Sequence, residues 1–236
     1  LHLMGDPLVH PKLSQFIEIC STYETHVFFV TNGVLLRDDK IETLLHPIIR
    51  QINFSLHSFN DNYPDRDPSF YLEKIFNYTE MAFQRRPDLY INYRLWNLDE
   101  PRGLDEKNTS ILDRIENYYK VKIDKTIDVK SEKSIRIKNR LYLHYDTEFT
   151  WPALDLPLIG TRGTCLGLKS HFGILADGTV VPCCLDKESG IPLGNINDLD
   201  IVSILTSPRA LALRKGFQDR ILIEELCQRC NYIERF

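Results

Sequence analysis

The chain has 236 residues, 43% of them apolar and 26% charged, with a formal net charge of −4, the make-up of an ordinary globular protein with room for one full core or two modest ones. So small a charge leaves no electrostatic footprint for nucleic acid or a membrane surface as partner. No apolar run is long enough to span a bilayer, and no signal peptide opens the chain.

In chain order, the first 120 residues alternate strand-like and helical segments. His26–Gly33, Gln51–Ser58 and Tyr90–Asn97 are short, rich in β-branched and aromatic residues, and end on polar or Gly positions, as strands do. Between them, Pro11–Tyr23, Arg37–His46, Pro68–Arg86 and Asp105–Lys120 carry apolar residues at helical spacing; in the third, Tyr71, Ile75, Tyr78 and Ala82 recur at steps of three and four. This alternation predicts an α/β fold built from parallel βα units, either a barrel or a doubly wound sheet. Chemistry in both gathers at the carboxyl ends of strands, which singles out Gly5-Asp6, Thr31-Asn32-Gly33, Ser55 with His57, and Arg94 with Asn97.

From residue 121 the pattern changes. Ser134–Lys138 and Arg140–Tyr145 alternate apolar and polar residues around Asn139, which predicts an antiparallel hairpin, and Trp151–Gly163 has no period and reads as a linker. A second hairpin is expected around Asp177-Gly178, followed by helices at Leu199–Leu205 and Pro208–Gly216, after which Glu224–Cys230 delivers the Cys pair. The expected division is residues 1–120, a hairpin and linker over 121–163, and a cysteine-rich module over 164–236.

Five of the six cysteines fall in that last module. Cys227-x2-Cys230 puts two thiolates on one tight turn, and the turn at Gly178 would bring Cys165 and Cys183 together, so metal ligation is the first expectation. Cys184 is adjacent to Cys183, and neighbours on an extended segment point to opposite faces, so it is not counted among the ligands. Cys20, with Phe16 and Ile17 on the apolar side of the first helix, reads as a core thiol. Spacing alone leaves iron and zinc both open.

These segments together resemble a radical S-adenosylmethionine (radical SAM) enzyme with a SPASM-type C-terminal extension. Met4-Gly5-Asp6-Pro7-Leu8 is similar to the family's Gly-Gly-Glu-Pro-Leu segment, Thr31-Asn32-Gly33 to its Thr-Asn-Gly, and Ser55-Leu56-His57 to its Ser-Leu-Asp. Cys165-x12-Gly178-x4-Cys183, Gly194-Asn195-Ile196 and Cys227-x2-Cys230 resemble the SPASM signature. The resemblance implies a partial (β/α)6-type barrel followed by a small α+β, cysteine-rich SPASM/twitch-like domain. It implies Cys165, Cys183, Cys227 and Cys230 as ligands of one auxiliary [4Fe–4S] cluster, since Phe236 stands where the longer SPASM pattern has its next cysteine. The family's Cys-x3-Cys-x2-Cys loop, which holds a SAM-binding [4Fe–4S] cluster, is absent; with no initiator Met, the chain reads as having lost an N-terminal portion.

S-adenosylmethionine would then contact Asp6 (its ammonium), Thr31, Asn32, Ser55 and Arg94 (its carboxylate). Plainer readings stand beside these: Asp6 as a cap for the helix near Pro11, Thr31 and Asn32 as turn residues, Arg94 in a surface ion pair. By two-residue periodicity Asn53, Ser55 and His57 share a strand face. No residue is singled out as catalytic. The implied activity is generation of a 5′-deoxyadenosyl radical for hydrogen abstraction from a peptide or protein substrate, in the cytoplasm, with flavodoxin or ferredoxin as reductant, and with this chain alone inactive. The alternatives are a non-catalytic iron–sulfur electron-transfer module and a zinc-stapled binding domain.

Overall fold

A computed structural model describes residues 5–63, 65–104, 107–148 and 150–235. The strand end expected at Leu1–Met4, and Phe236, lie outside the described residues. The chain divides into two compact units, Leu1–Glu148 and Phe149–Phe236.

The first unit begins with a 3-10 turn at Pro7–Val9, then α1 (Leu13–Thr22), β1 (Val27–Thr31), α2 (Asp38–Leu44), β2 (Ile49–Ser55), α3 (His57–Asn62), α4 (Ser69–Arg85) and β3 (Tyr90–Leu98). A small antiparallel pair, β4 (Arg102–Leu104) and β5 (Thr126–Asp128), brackets α5 (Thr109–Tyr119), and β6 (Ser134–Lys138) and β7 (Leu141–Thr147) follow. The main sheet runs β1-β2-β3-β7-β6, parallel except for β6. Its parallel strands advance in one direction, without the reversal of order that defines a doubly wound sheet.

One sheet face is apolar. Phe29, Ile52, Ile91 and Leu141 stand in register across the four parallel strands, and Phe54, Tyr93 and Leu143 form the next row; all are fully buried. Ile17 of α1, Leu44 of α2, Tyr71, Ile75, Tyr78 and Ala82 of α4, and Ile111, Leu112 and Ile115 of α5 pack into the same core. Each such side chain contributes about 1.5–3 kcal/mol by burial, so the helical spacing read in the sequence is the spacing that closes the core. Cys20 packs at the edge of this core as expected, whereas Phe16 turns outward to a ring contact with His10.

Two local expectations are corrected. The β6–β7 hairpin forms, with Asn139 at φ 47° in its turn, but the far edge of β7 pairs in parallel with β3. Leu141, Leu143 and Tyr145 give β7 an apolar face for the same core, so the hairpin completes the first unit's sheet. His57 is also not on a strand: β2 stops at Ser55, and His57 opens α3. Its Nδ1 lies 3.0 Å from the Arg94 carbonyl and 3.3 Å from the Trp96 amide of β3, so it braces the backbone of β3.

The second unit holds a three-stranded antiparallel sheet of β8 (Gly173–Ile174), β9 (Thr179–Val181) and β10 (Gly194–Asn195), then α6 (Ile201–Leu205), α7 (Pro208–Gln218), α8 (Glu225–Gln228) and a 3-10 turn at Asn231–Arg235. Its core gathers Leu168, Val180, Ile191, Ile204, Leu213 and Leu226. Gly178 makes the β8–β9 turn at φ 89°, where a Cβ would fall 2.6 Å from Asn197 Nδ2 and 2.7 Å from Asn195 Oδ1. Both of those side chains donate to the Asp177 carbonyl, so the turn is tied to β10.

Candidate functional site

Three separate chain segments deliver the cysteines of the second unit. Residues 161–163 run against 220–222: Leu222 N–H donates to the Thr161 carbonyl (2.9 Å) and Gly163 N–H to that of Arg220 (3.1 Å). This tie brings Cys165 back to the chain that enters α8, where Cys227 sits. Leu168 N–H, shared between the carbonyls of His171 (2.8 Å) and Pro182 (3.2 Å), fastens the Cys165 loop to the end of β9, next to Cys183. The loops touch at Gly167, where a Cβ would lie 3.1 Å from the Pro182 oxygen. Cys230 N–H closes the Cys-x2-Cys turn onto the Cys227 carbonyl at 3.3 Å.

All five thiols are free and partly buried. Burial pushes Cys183 up to about 12 and raises Cys227, Cys184 and Cys230 as well. A secondary cause is mutual: the charge of Cys165 acts on each of these four, and Cys183 and Cys230 act on Cys227. If ionised together, these thiols would need a positive charge beside them, which a metal centre supplies. Backbone donors are already aimed at sulfur. Gly167 N–H lies 3.4 Å from Cys165 Sγ, and nearby backbone amides, those of Leu185 and Asp186 at Cys183 and of Tyr232 and Ile233 at Cys230, partly offset the effect of burial on those two thiols. Such N–H···S contacts stabilise thiolate ligands and tune iron–sulfur sites.

Among the described residues, no three His, Cys, Asp or Glu side chains are arranged to hold a single metal ion. One zinc ion with 2.3 Å bonds would draw its sulfurs to about 3.8 Å from one another. A cubane places one iron behind each thiolate and spreads the sulfurs wider. Thiols delivered by three neighbouring segments are the soft donor set that either zinc or an iron–sulfur cluster takes.

After Cys184, Asp186 accepts the amides of Gly190 (2.6 Å) and Ile191 (2.8 Å) and pins the following loop. Its burial raises its pKa against the pull of those two donors.

In the first unit, Asp6, Thr31 and Asn32 are brought together. Asp6 Oδ2 accepts from Thr31 Oγ1 (2.6 Å) and Asn32 N–H (2.8 Å), and Oδ1 accepts from Leu8 N–H (2.9 Å). The carboxylate thus caps the 3-10 turn at Pro7, while α1 starts without a side-chain cap. Thr31 Oγ1 accepts from Gly33 N–H, Asn32 Oδ1 from Val34 N–H, and the Tyr71 hydroxyl donates to the Asn32 carbonyl at 2.5 Å. Burial and the nearby Asp6 charge raise Tyr71 far above an ordinary phenol.

The second sheet face is polar. Ser55, Arg94 and His144 are register partners across β2, β3 and β7, above a row of Asn53, Asn92 and Tyr142. Asn53 is buried, donates to the Phe29 carbonyl (2.9 Å) and accepts from Gln51 and Asn92 (both 2.8 Å). Arg94 forms no ion pair among the described residues. Its guanidinium lies 4.2 Å over the Trp96 ring, Arg94 Nε and Trp96 Nε1 are buried without an acceptor among the described residues, and burial lowers Arg94 to about 10. The surface-pair reading of Arg94 therefore fails among the described residues: it is a largely desolvated cation. His144 is lowered by burial and then by Arg94. Sequence reasoning missed Trp96 and His144; the Arg94-x-Trp96 step of two was the one available signal, since the Arg94–His144 pairing depends on sheet order.

A parallel α/β unit followed by a cysteine-rich unit defines a class, an α/β protein with a candidate metal centre. More particularly, residues 165–231 match the SPASM family, an iron-sulfur cluster-binding domain. By fold the chain is similar to BtrN in an open conformation (15% identity, 98% of this chain and 69% of that one, TM-score 0.53). It is likewise similar to BtrN in complex with AdoMet and 2-DOIA (15%, 98% and 71%, 0.50). The third likeness is to Streptococcus suis SuiB (12%, 98% and 61%, 0.55). No curated protein matches it in sequence. Residues 165–231 thus match an iron–sulfur cluster-binding domain, as the SPASM resemblance of the cysteines implies, and the likeness to BtrN and SuiB is one of fold. No helix among the described residues is long and apolar enough to cross a membrane.

Proposed function

We propose that the chain is the scaffold of a radical SAM enzyme whose auxiliary [4Fe–4S] cluster is held by Cys165, Cys183, Cys227 and Cys230. The observation that carries this reading is the gathering of those thiols, with the Gly167 amide aimed at the Cys165 sulfur, inside the segment that matches an iron–sulfur domain. The first unit is read as part of a (β/α)6-type barrel, because its parallel strands advance in one direction and its polar face is lined by Asn53, Ser55, Asn92, Arg94 and His144.

AdoMet, the ligand named for BtrN, suits that face. Arg94 would neutralise its carboxylate, Ser55 beside it would bond the carboxylate or ribose, and Asp6, held rigid by Thr31 and Asn32, would take its ammonium with a remaining lone pair. When bound, AdoMet with a reduced cluster supplies a 5′-deoxyadenosyl radical for hydrogen abstraction. That first cluster would need a Cys-x3-Cys-x2-Cys loop, as the resemblance implies. A peptide or protein is the proposed substrate, and flavodoxin or ferredoxin in the cytoplasm the proposed electron source. The test is anaerobic reconstitution of the complete protein: two clusters and 5′-deoxyadenosine on adding dithionite are expected, and a fully loaded protein that leaves AdoMet intact overturns the proposal.

A further inference from the structure

Arg229 stands between two of the proposed ligands, at the end of the helix that carries Cys227 and one residue before Cys230. Each terminal nitrogen is held: Nη1 donates to the Leu156 carbonyl and Nη2 to Glu225 Oε1 at 2.7 Å. Its Nε–H is buried and has no acceptor among the described residues. A guanidinium clamped at both ends cannot swing that donor out to water, and a buried N–H without an acceptor is costly.

The segment it grips is itself fixed to the cysteine turn. The amides of Ile159 (2.9 Å) and Gly160 (3.2 Å) both donate to the Gln228 carbonyl, and Gln228 Nε2 donates to that of Leu222 (2.6 Å). Residues 156–160, read from sequence as a linker, form a strap on the Cys227–Cys230 turn, and Arg229 is its side-chain fastener.

We propose that Arg229 Nε–H is a hydrogen-bond donor to the auxiliary cluster, to a sulfide or a thiolate sulfur, and holds its reduction potential up. This rests on the four-cysteine reading above. Reduction adds one negative charge to the cluster, and a fixed cationic donor favours the reduced form. The strap sets the donor's position, so charge alone does not replace it.

The experiment is an EPR-monitored redox titration of the full chain, reconstituted anaerobically, as wild type, Arg229→Lys and Arg229→Gln. Both variants are expected to keep wild-type iron and sulfide content. At a fixed potential their reduced-to-oxidised ratio should fall roughly tenfold, about 59 mV for a one-electron couple. Loaded variants with an unchanged midpoint overturn the proposal. Should the variants lose the cluster, pulsed EPR of reduced wild-type protein labelled with 15N-arginine decides: a nitrogen coupling supports the contact, and none refutes it. A wild-type chain that takes up no cluster would instead overturn the four-cysteine reading.

Discussion

Thr31 and Asp6 lie 25 positions apart in the chain and meet through a 2.6 Å hydrogen bond, hydroxyl to carboxylate. The same oxygen takes the Asn32 amide, and the other takes that of Leu8. One carboxylate therefore locks the end of β1 to the 3-10 turn before α1.

Asp6→Asn should weaken this lock. An amide group in place of Oδ2 can still meet the Thr31 hydroxyl, which reverses its proton, but it faces the Asn32 N–H with a donor. The first unit should lose about 1–3 kcal/mol. Hydrogen exchange of the Asn32 and Gly33 amides measures this, and unchanged protection would contradict it.

His144 should titrate below the usual histidine range, because burial and Arg94 both disfavour its proton. Above about pH 6.5 it is neutral folded or unfolded, and its contribution to stability is complete. As pH falls toward the lowered folded value, the unfolded chain gains a proton the folded one resists, and that stability is lost. Urea titrations at pH 8 and 5.5 should show a smaller loss for His144→Gln. An NMR titration of Arg94→Gln should move His144 upward.

Gly178→Ala should strain the turn that leads to Cys183. Its φ of 89° disfavours a side chain, and the new Cβ would push on Asn195 and Asn197, whose bonds hold β10. A cost of about 1–3 kcal/mol is expected in the second unit, read by thermal unfolding.

Cys183→Ser should abolish cluster uptake, and Cys184→Ser should leave iron content near that of wild type. Equal loss in both would make Cys184 a ligand and displace one of the four.

Most of the elements were legible because their signals are local. The steps of Tyr71, Ile75, Tyr78 and Ala82, and the alternation of Ser134–Lys138, need only a short window. The cysteine spacing was legible for the same reason. The parallel pairing of β7 with β3 was not, since a strand's sequence records its apolar face but not the neighbour of its free edge. Ser55, Arg94 and His144 form one row only through sheet order. Residues 156–160 carry no periodicity because backbone amides and the Arg229 side chain hold them, and neither leaves a pattern in the segment itself.

Iron and acid-labile sulfide analysis of the anaerobically reconstituted chain, with EPR after reduction, tests the central claim most directly. The account predicts about four iron and four sulfide per chain, as one cubane requires, and their loss on replacing Cys165, Cys183, Cys227 or Cys230. One zinc ion with no sulfide, held by those same cysteines, would contradict it.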